Sequence, residues 1–286
     1  MTNDSYSMKI SMIADIIPEK NILILSPHYD DVLFMMGGYI LNLKKEGILD
    51  TKNFKVKLIF SRSSYQLGQG SANYDPSLER VQYATGIRLI EDQNCNDELF
   101  GKFNYSYELL GEKECSIRGK SLNDSEGEME FPHGMYEDFD EKDVDVFDRM
   151  KQRFEKYAML PDTAIIVPMA IKEHIDHFII REAAITVAKK LGASAKAKFY
   201  FQEDKPYGGI ATETELERIE EFVNSNQLQS KWYSYDPEAI VDLAFKHFVS
   251  QVEEIYKIGV LNRAEFWKTQ LDHTEGVDRI CLFDLS

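Results

Sequence analysis

The hydrophobic pattern of this chain is organised around residues 21–43, where a short apolar run is followed by a helical pattern. The run Ile22 to Leu25 is bounded by Ser26 and Pro27, and it predicts a strand that is buried on both faces. Apolar positions then recur at helical spacing, at Leu33, Met36, Ile40 and Leu43. Polar residues cluster between the predicted strand and helix. In open α/β sheets, ligands bind at the carboxyl ends of strands, so this junction predicts a binding site.

The same alternation of short apolar runs and helical patterns continues along the chain and predicts a mostly parallel sheet with helices on both faces. This is an α/β, Rossmann-like fold. Further strands are predicted at Phe54 to Phe60, Thr163 to Val167, Lys198 to Gln202 and Arg279 to Phe283. Helices are predicted at Leu78 to Asn94, Val144 to Ala158, Ile180 to Leu191, Glu215 to Val223 and Pro237 to Ile258.

The pair Gly37-Gly38 lies inside the first predicted helix. Glycine in a helix interior costs about 0.5–1 kcal/mol relative to alanine, so a pair needs a compensating reason. We expect another stretch of backbone to pass close to the helix at this point.

Composition and charge exclude several classes of function. The 286 residues are 43% hydrophobic, which is enough for the core of a single domain spanning residues 1–286. The net charge is −16 and no Lys/Arg cluster is present, so neither a nucleic-acid partner nor an anionic membrane surface is expected. No apolar stretch reaches the roughly 20 residues of a membrane span. The oligomeric state is left open.

Cysteine usage and the start of the sequence bear on the compartment. The three cysteines are far apart and form no CxxC spacing, which indicates neither a disulfide framework nor a cysteine zinc site. The first residues lack a basic region followed by an apolar one, as a secretory signal would have. We therefore expect a cytoplasmic protein.

An acidic insertion is predicted at about residues 111–143. Between Ser121 and Asp143 there are nine acidic residues and one lysine. Such a charge run is typical of a solvated, mobile surface segment. A loop of this length inside a compact domain is also typical of a lid near a binding site. The pattern leaves both interpretations open.

Histidines and carboxylates follow two of the predicted buried strands. His28 and Asp31 come directly after the first strand, and His174 and His177 come after the strand at Thr163 to Val167. Two imidazoles and one carboxylate with open positions suit a catalytic divalent metal. Asp176 lies between the second pair and is a candidate to accept a hydrogen bond from a ligating imidazole. The remaining histidines have no such surroundings; they are His133, His247 and His273.

Three other interpretations of these residues are open. A polar residue at a strand end is often only a helix cap or an ordinary loop residue. His28 and Asp30 with a distant histidine also match the facial triad of iron oxygenases, although those sites often lie in all-β jelly rolls and here a helical pattern follows at once. A non-enzymatic nucleotide- or sugar-binding α/β module is possible, but the GxGxxG turn of a nucleotide site is missing after the first strand.

In order along the chain, five segments resemble the PIG-L/LmbE-like deacetylases, zinc hydrolases that remove N-acetyl groups, mostly from glucosamine-containing substrates. The matching segments span residues 21–207, about two-thirds of the chain. They are Pro27 to Asp31 (PHYDD, similar to PHxDD), Gly37-Gly38, Arg88 to Asp92 (RLIED), Pro168 to His177 (PMAIKEHIDH, ending in HxDH) and Phe201 to Tyr207 (FQEDKPY, similar to YEDxPY).

The resemblance implies an LmbE-like fold and a zinc-dependent hydrolase that removes an N-acetyl group from a glucosamine-containing sugar or glycoconjugate. It implies zinc ligands at His28, Asp31 and His177. It also implies three further roles: general base for Asp30, oxyanion stabiliser or proton donor for His174, and substrate binding for Arg88.

The chain departs from the family pattern at Tyr29, Val32, the Ser61 to Ser64 segment and Gln202. These positions shape the pocket, so the departures leave the substrate open.

Overall fold

Seven strands form one sheet in this computed structural model, which describes residues 9–120 and 139–284. The sheet order is β3-β2-β1-β4-β5-β7-β6. The strands are β1 Asn21–Ser26, β2 Asn53–Leu58, β3 Tyr105–Leu109, β4 Thr163–Pro168, β5 Lys198–Gln202, β6 Gln229–Tyr235 and β7 Gly276–Phe283. The first five run parallel, and β7 pairs antiparallel with both β5 and β6. The predicted mostly parallel α/β sheet is confirmed.

The two strands that the sequence pattern did not predict, β3 and β6, lie at the two edges of the sheet. Most of their residues are exposed or only partly buried, because each edge strand pairs on one side alone. Their sequences therefore lack the continuous apolar run that marks the central strands.

Helices cover both faces of the sheet, as predicted. They are α1 Ile13–Ile16, α2 Asp31–Lys45, α3 Leu78–Phe100, α4 Glu141–Tyr157, α5 Ile175–Leu191, α6 Tyr207–Ile210, α7 Glu213–Ser225, α8 Pro237–His247 and α9 Glu254–Gln270. Side chains alternate across a strand, so Ile22 and Ile24 pack with α2, α8 and α9, whereas Leu23 and Leu25 pack with α4, α5 and α7. Burial on both faces explains the unbroken apolar run of β1.

One of the predicted helices is divided into two helices in the structure. The pattern at Pro237 to Ile258 predicts a single helix, but α8 ends at His247 and α9 begins at Glu254. Glu91 of α3 binds the intervening turn, accepting hydrogen bonds from the backbone N–H of Ser250 at 2.8 Å and the side chain of Gln251 at 2.7 Å. Because Glu91 accepts the hydrogen bond of the Ser250 N–H, this backbone group does not need the partner that a continuous helix would have given it.

The strand order places β1 and β4 side by side at the centre of the sheet. From β1 the chain proceeds outward through β2 and β3, and from β4 it proceeds outward in the other direction through β5. The carboxyl ends of β1 and β4 therefore form a topological switch point, where helices diverge to opposite faces and leave a crevice for ligands.

The acidic insertion falls largely outside the described residues, which omit 121–138. Its flanks are joined by ion pairs from Lys120 to Asp140 at 2.9 Å and to Asp143 at 2.6 Å. The prediction of one domain with an insertion at about 111–143 stays a prediction. No helix among the described residues is long and apolar enough to cross a membrane.

The glycine pair in α2 makes room for side chains rather than for a second backbone, which corrects the prediction. A Cβ at Gly38 would lie 2.8 Å from the ring of Tyr235, and a Cβ at Gly37 would lie 2.8 Å from Ile240. The closest approach is therefore that of β6 and α8 side chains packed across the helix.

We expect Gly38→Ala to destabilise the fold by about 1–3 kcal/mol, because the added methyl group would force the buried Tyr235 ring to move. Gly86→Ala in α3 is the matched control, since nothing lies within 4 Å of a Cβ there. Alanine should stabilise that helix by about 0.5–1 kcal/mol. Urea unfolding of both variants measures the difference, and equal stabilities would contradict the packing described.

Candidate metal centre and active site

Three donor atoms meet at the switch point. His28 Nδ1 lies 3.3 Å from His177 Nε2, and Asp31 Oδ2 lies 3.3 Å from each of these nitrogens. His28 and Asp31 follow β1, whereas His177 lies in the first turn of α5 after β4. The backbone N–H of His28 donates to Asp31 Oδ2 at 2.8 Å and fixes that carboxylate within the PHYDD turn.

The imidazoles are oriented by two buried carboxylates on the side away from this triangle. His28 Nε2 donates to Asp176 Oδ2 at 2.9 Å, and His177 Nδ1 donates to Asp204 Oδ2 at 2.8 Å. Each histidine therefore has its other nitrogen facing Asp31, where a metal ion could replace a proton. Ligating histidines usually donate their second N–H to a carboxylate in this way.

The triangle fits a divalent metal. Ligand atoms bound at about 2.0–2.1 Å to a tetrahedral zinc ion lie about 3.3–3.4 Å from one another. Burial alone would lower the pKa of His28 and His177, but hydrogen bonds and charges from Asp176, Asp31 and Asp204 raise it to about 9 and about 10. The same negative potential that favours a proton here favours a metal cation.

Asp30 lies beside the triangle and faces a cavity. It is only 9% exposed, and it precedes α2 without capping the helix through its side chain. Burial raises its pKa to about 6, with a further contribution from the adjacent Asp31 charge. Asp31, not Asp30, is the carboxylate that approaches both imidazoles, so the pair His28 and Asp30 of an iron triad does not form here.

His174 lines the same cavity. Its Nδ1 accepts a hydrogen bond from the backbone N–H of Asp176 at 3.3 Å, so the neutral ring carries its proton on Nε2. Burial lowers the pKa of His174 well below the usual range, and the neighbouring His28 and His177 lower it further. A neutral imidazole with Nε2–H can donate a hydrogen bond within the cavity.

The loop before His174 is strained. Ala170, Lys172 and Glu173 have φ angles of 57°, 64° and 55°, a region that non-glycine residues rarely occupy. Each such residue costs about 1–3 kcal/mol and persists only where the surroundings impose it. Asp204 accepts a hydrogen bond from Ile171 N–H at 3.0 Å and so holds the loop as well as His177.

Arg88 of α3 lines the cavity but is held by three partners. Its guanidinium donates to Gln251 Oε1 and Ser63 Oγ, each at 2.5 Å, and also pairs with Glu114. The guanidinium carbon lies 5.2 Å from the ring centre of Tyr29. Tyr29, one of the departures from the family motif, therefore supports Arg88.

The cavity beside the triangle is lined by both polar and apolar side chains and has a volume of about 100 Å³. All of Asp30, Arg88 and His174 line it. Aromatic side chains form much of the remaining wall, at Phe34, Tyr65, Tyr74, Tyr207 and Tyr256. Concave sites with an apolar lining and a few convergent polar groups are typical of small-molecule sites.

Sequence reasoning missed the contributions of three residues. Asp204 was recognised only as part of the FQEDKPY segment, and its approach to His177 depends on the pairing of β4 with β5. Glu114 and Arg118 lie in the predicted insertion, where an acidic, irregular stretch gave no signal for a site. The bridge between Arg62 and Lys113 places this segment just beyond β2, and the backbone N–H of Cys115 bonds to Asp176 at the start of α5.

The fold is shared with solved structures of deacetylases. A deacetylase–teicoplanin complex from teicoplanin biosynthesis has a TM-score of 0.57 and 15% identity, covering 92% of this chain and 97% of that chain. The A40926 pseudoaglycone deacetylase has a TM-score of 0.56 and 15% identity, covering 94% and 99%. The N,N'-diacetylchitobiose deacetylase from Pyrococcus horikoshii has a TM-score of 0.52 and 13% identity, covering 96% and 86%. This chain has the LmbE-like deacetylase fold.

At these identities the likeness establishes the fold, so the chemistry of this chain depends on its own side chains. No family model and no curated protein matches the sequence. A further structure of the same fold is described as the zinc inhibited form of teicoplanin deacetylase, with a TM-score of 0.57 and 15% identity, covering 92% of this chain and 97% of that chain. In this chain itself, the buried cluster of His28, His174 and His177 points to a divalent metal.

We expect Asp31→Ala to lose most of the bound metal, because it removes one of the three donor atoms. Asp30→Asn should retain about one divalent ion per chain, since Asp30 lies outside the triangle. Elemental analysis of the two purified variants side by side measures the difference. The opposite result, with metal lost from Asp30→Asn and kept in Asp31→Ala, would support the iron-type pair instead.

Proposed function

We propose that this protein is a zinc-dependent N-deacetylase that acts on a glucosamine-containing sugar or glycoconjugate. The observation that carries the proposal is the equilateral arrangement of His28, Asp31 and His177, 3.3 Å apart, with Asp30 and His174 facing the same cavity. The fold shared with the A40926 pseudoaglycone deacetylase, the deacetylase–teicoplanin complex and the N,N'-diacetylchitobiose deacetylase supports the substrate class. Another divalent metal could serve the same site.

Asp30 is the proposed general base. His28, Asp31 and His177 would hold the zinc ion, which would supply a water of lowered pKa and polarise the acetyl carbonyl. Asp30 is next to the ligand Asp31 but is not itself a ligand, so its carboxylate is available to accept a proton from water. General base catalysis of this kind contributes about 10²–10⁴-fold to the rate.

His174 is the proposed hydrogen-bond donor to the reacting carbonyl; the alternative role, protonation of the leaving amine, would require the neutral ring first to take up a second proton. Its Nδ1 is occupied by the backbone N–H of Asp176, so Nε2 is the nitrogen that can serve the substrate. Asp30 and His174 line the same cavity, so both can reach one bound amide.

Arg88 is the proposed substrate-binding residue of the cavity wall. Its three protein partners hold the guanidinium in one orientation, so it can bind a sugar hydroxyl without a large loss of side-chain entropy. The surrounding aromatic rings offer apolar faces for a sugar ring.

The alternative functions differ in what they require. An iron oxygenase would use Asp30 as a ligand, whereas Asp31 occupies that position, and the sheet is not a jelly roll. A sugar-binding module would need neither the metal triangle nor a base beside it. The lid role of the insertion at about 111–143 and the cytoplasmic location remain proposals, the second supported by three free, buried cysteines.

Incubation with N-acetylated sugars and sugar conjugates should release free amine. The release should stop with a chelator and return with added zinc. A fluorogenic amine reagent measures the product. Binding of the sugars without any amine release, by a protein that carries no metal, would favour the binding module.

We expect Asp30→Asn to lower kcat by about two to four orders of magnitude while KM changes much less, because the lost group acts in the transition state. Asp242→Asn, on the exposed face of α8, is the matched control and should behave as wild type. Steady-state kinetics on the best substrate of the screen measures both. An Asp30→Asn enzyme with normal kcat would remove Asp30 as the base.

A further inference from the structure

A chain of charged hydrogen bonds connects the start of α4 to the candidate ligand His28. Arg118 Nη2 donates to Asp143 Oδ1 at 2.7 Å, and Arg118 Nη1 donates to Asp176 Oδ1 at 2.6 Å. The other oxygen of Asp176 accepts from His28 Nε2 at 2.9 Å. Arg118 is therefore one residue removed from the metal triangle, although it lies in a segment whose sequence gave no signal for a site.

Asp176 needs a compensating cation. It is fully buried, and an ionised carboxylate out of water is costly unless it is paired and hydrogen-bonded. Burial alone would raise the pKa of Asp176, but the charge of Arg118 and the hydrogen bond from His28 outweigh it and hold the pKa well below the usual range. The backbone N–H of Cys115 adds a hydrogen bond at 3.0 Å.

The orientation of His28 depends on this carboxylate. With Nε2–H fixed on Asp176, Nδ1 faces Asp31 and His177. If the carboxylate turned away, the imidazole could rotate or change its tautomer, and the triangle would lose one donor. The second partner of a ligating histidine typically changes metal affinity by about 10–100-fold.

Arg118 is itself held in place. Its Nη1 also donates to the carbonyl of Lys113 at 2.8 Å, and its guanidinium carbon lies 5.1 Å from the ring centre of Phe60. Phe60 in turn lies against His28, with ring centres 5.9 Å apart. The guanidinium therefore has a fixed position relative to both Asp176 and His28.

We propose that Arg118 is a positioning residue that sets the metal affinity of this site by holding Asp176 against His28. The inference rests on the metal site of the proposed function, but not on the acyl group or the sugar. It gives the start of the insertion a role in the metal centre that is separate from any role of residues 121–138.

A purely structural role for Arg118 is separable from this one, because Lys120 offers a matched control. Lys120 is also buried and pairs with Asp140 at 2.9 Å and with Asp143 at 2.6 Å, so it fastens the same segment to α4. Its ion pairs are with α4 and its N-cap, whereas Arg118 also reaches Asp176. Loss of either cation should weaken the attachment of the segment, but only Arg118 should affect the metal.

The experiment compares Arg118→Met and Lys120→Met with wild type. The zinc dissociation constant is measured by competition with a chromogenic chelator, and the absorption spectrum of the Co²⁺-loaded protein reports the ligand geometry. We expect zinc affinity to fall about 10–100-fold in Arg118→Met, with an altered Co²⁺ spectrum, and to stay at the wild-type value in Lys120→Met. Thermal unfolding of the metal-free proteins records the structural cost of each change.

Three outcomes would overturn the inference: wild-type zinc affinity in Arg118→Met, an equal loss in both variants, or a wild-type protein that binds no zinc. The last outcome would also remove the metal site, whereas normal zinc binding without amine release would remove only the deacetylase reaction. If Arg118→Met does not fold, Arg118→Gln replaces it. Glutamine keeps a hydrogen-bond donor but no charge, and the same loss of affinity is expected.

Discussion

Charge compensation at the carboxyl ends of the central strands β1 and β4 is the constraint on which the rest of the structure depends. The ends of β1 and β4 bring Asp31, Asp176, His28 and His177 together at positions that are less than one-tenth exposed. Such a cluster is stable out of water only if each charge has a partner with good geometry. The partners come from other elements: Asp204 after β5, and Arg118 from the segment before α4.

In the segment after β5, two adjacent carboxylates bind different parts of the fold. Asp204 accepts from His177 and from the strained loop, and so belongs to the metal centre. Glu203 pairs with Arg263 at 2.6 Å and Arg279 at 2.7 Å, and so ties α9 and β7 to the parallel strands. Loss of either partner of such a pair would leave a buried charge uncompensated, which is costly. The antiparallel end of the sheet is therefore attached through the same short turn that orients His177.

Neighbouring residues of the same type have different contacts because of the way the chain turns into a helix. Both aspartates line the cavity, but it is Asp31 that accepts the backbone N–H of His28 and contacts both imidazoles. His174 and His177 differ in the same manner, since one receives a backbone N–H and the other donates to Asp204. Two residues of the same type therefore have different hydrogen-bond partners, because the start of each helix points their side chains in different directions.

The sequence by itself determined the parallel core and the position of His28, Asp31 and His177 just after two of its strands, because both follow from local patterns. Unbroken apolar runs mark β1 and β4, and the polar residues directly after them must lie at one edge of the sheet. Tertiary structure alone decided the edge strands β3 and β6, the break between α8 and α9, and the side chains packed on Gly38. It also decided the partners of the ligands, because Asp204, Glu114 and Arg118 are distant in sequence from the residues they serve. Periodicity reports which face of an element is buried, whereas the pairing of charges depends on which elements become neighbours, and that is settled only when the whole sheet is assembled.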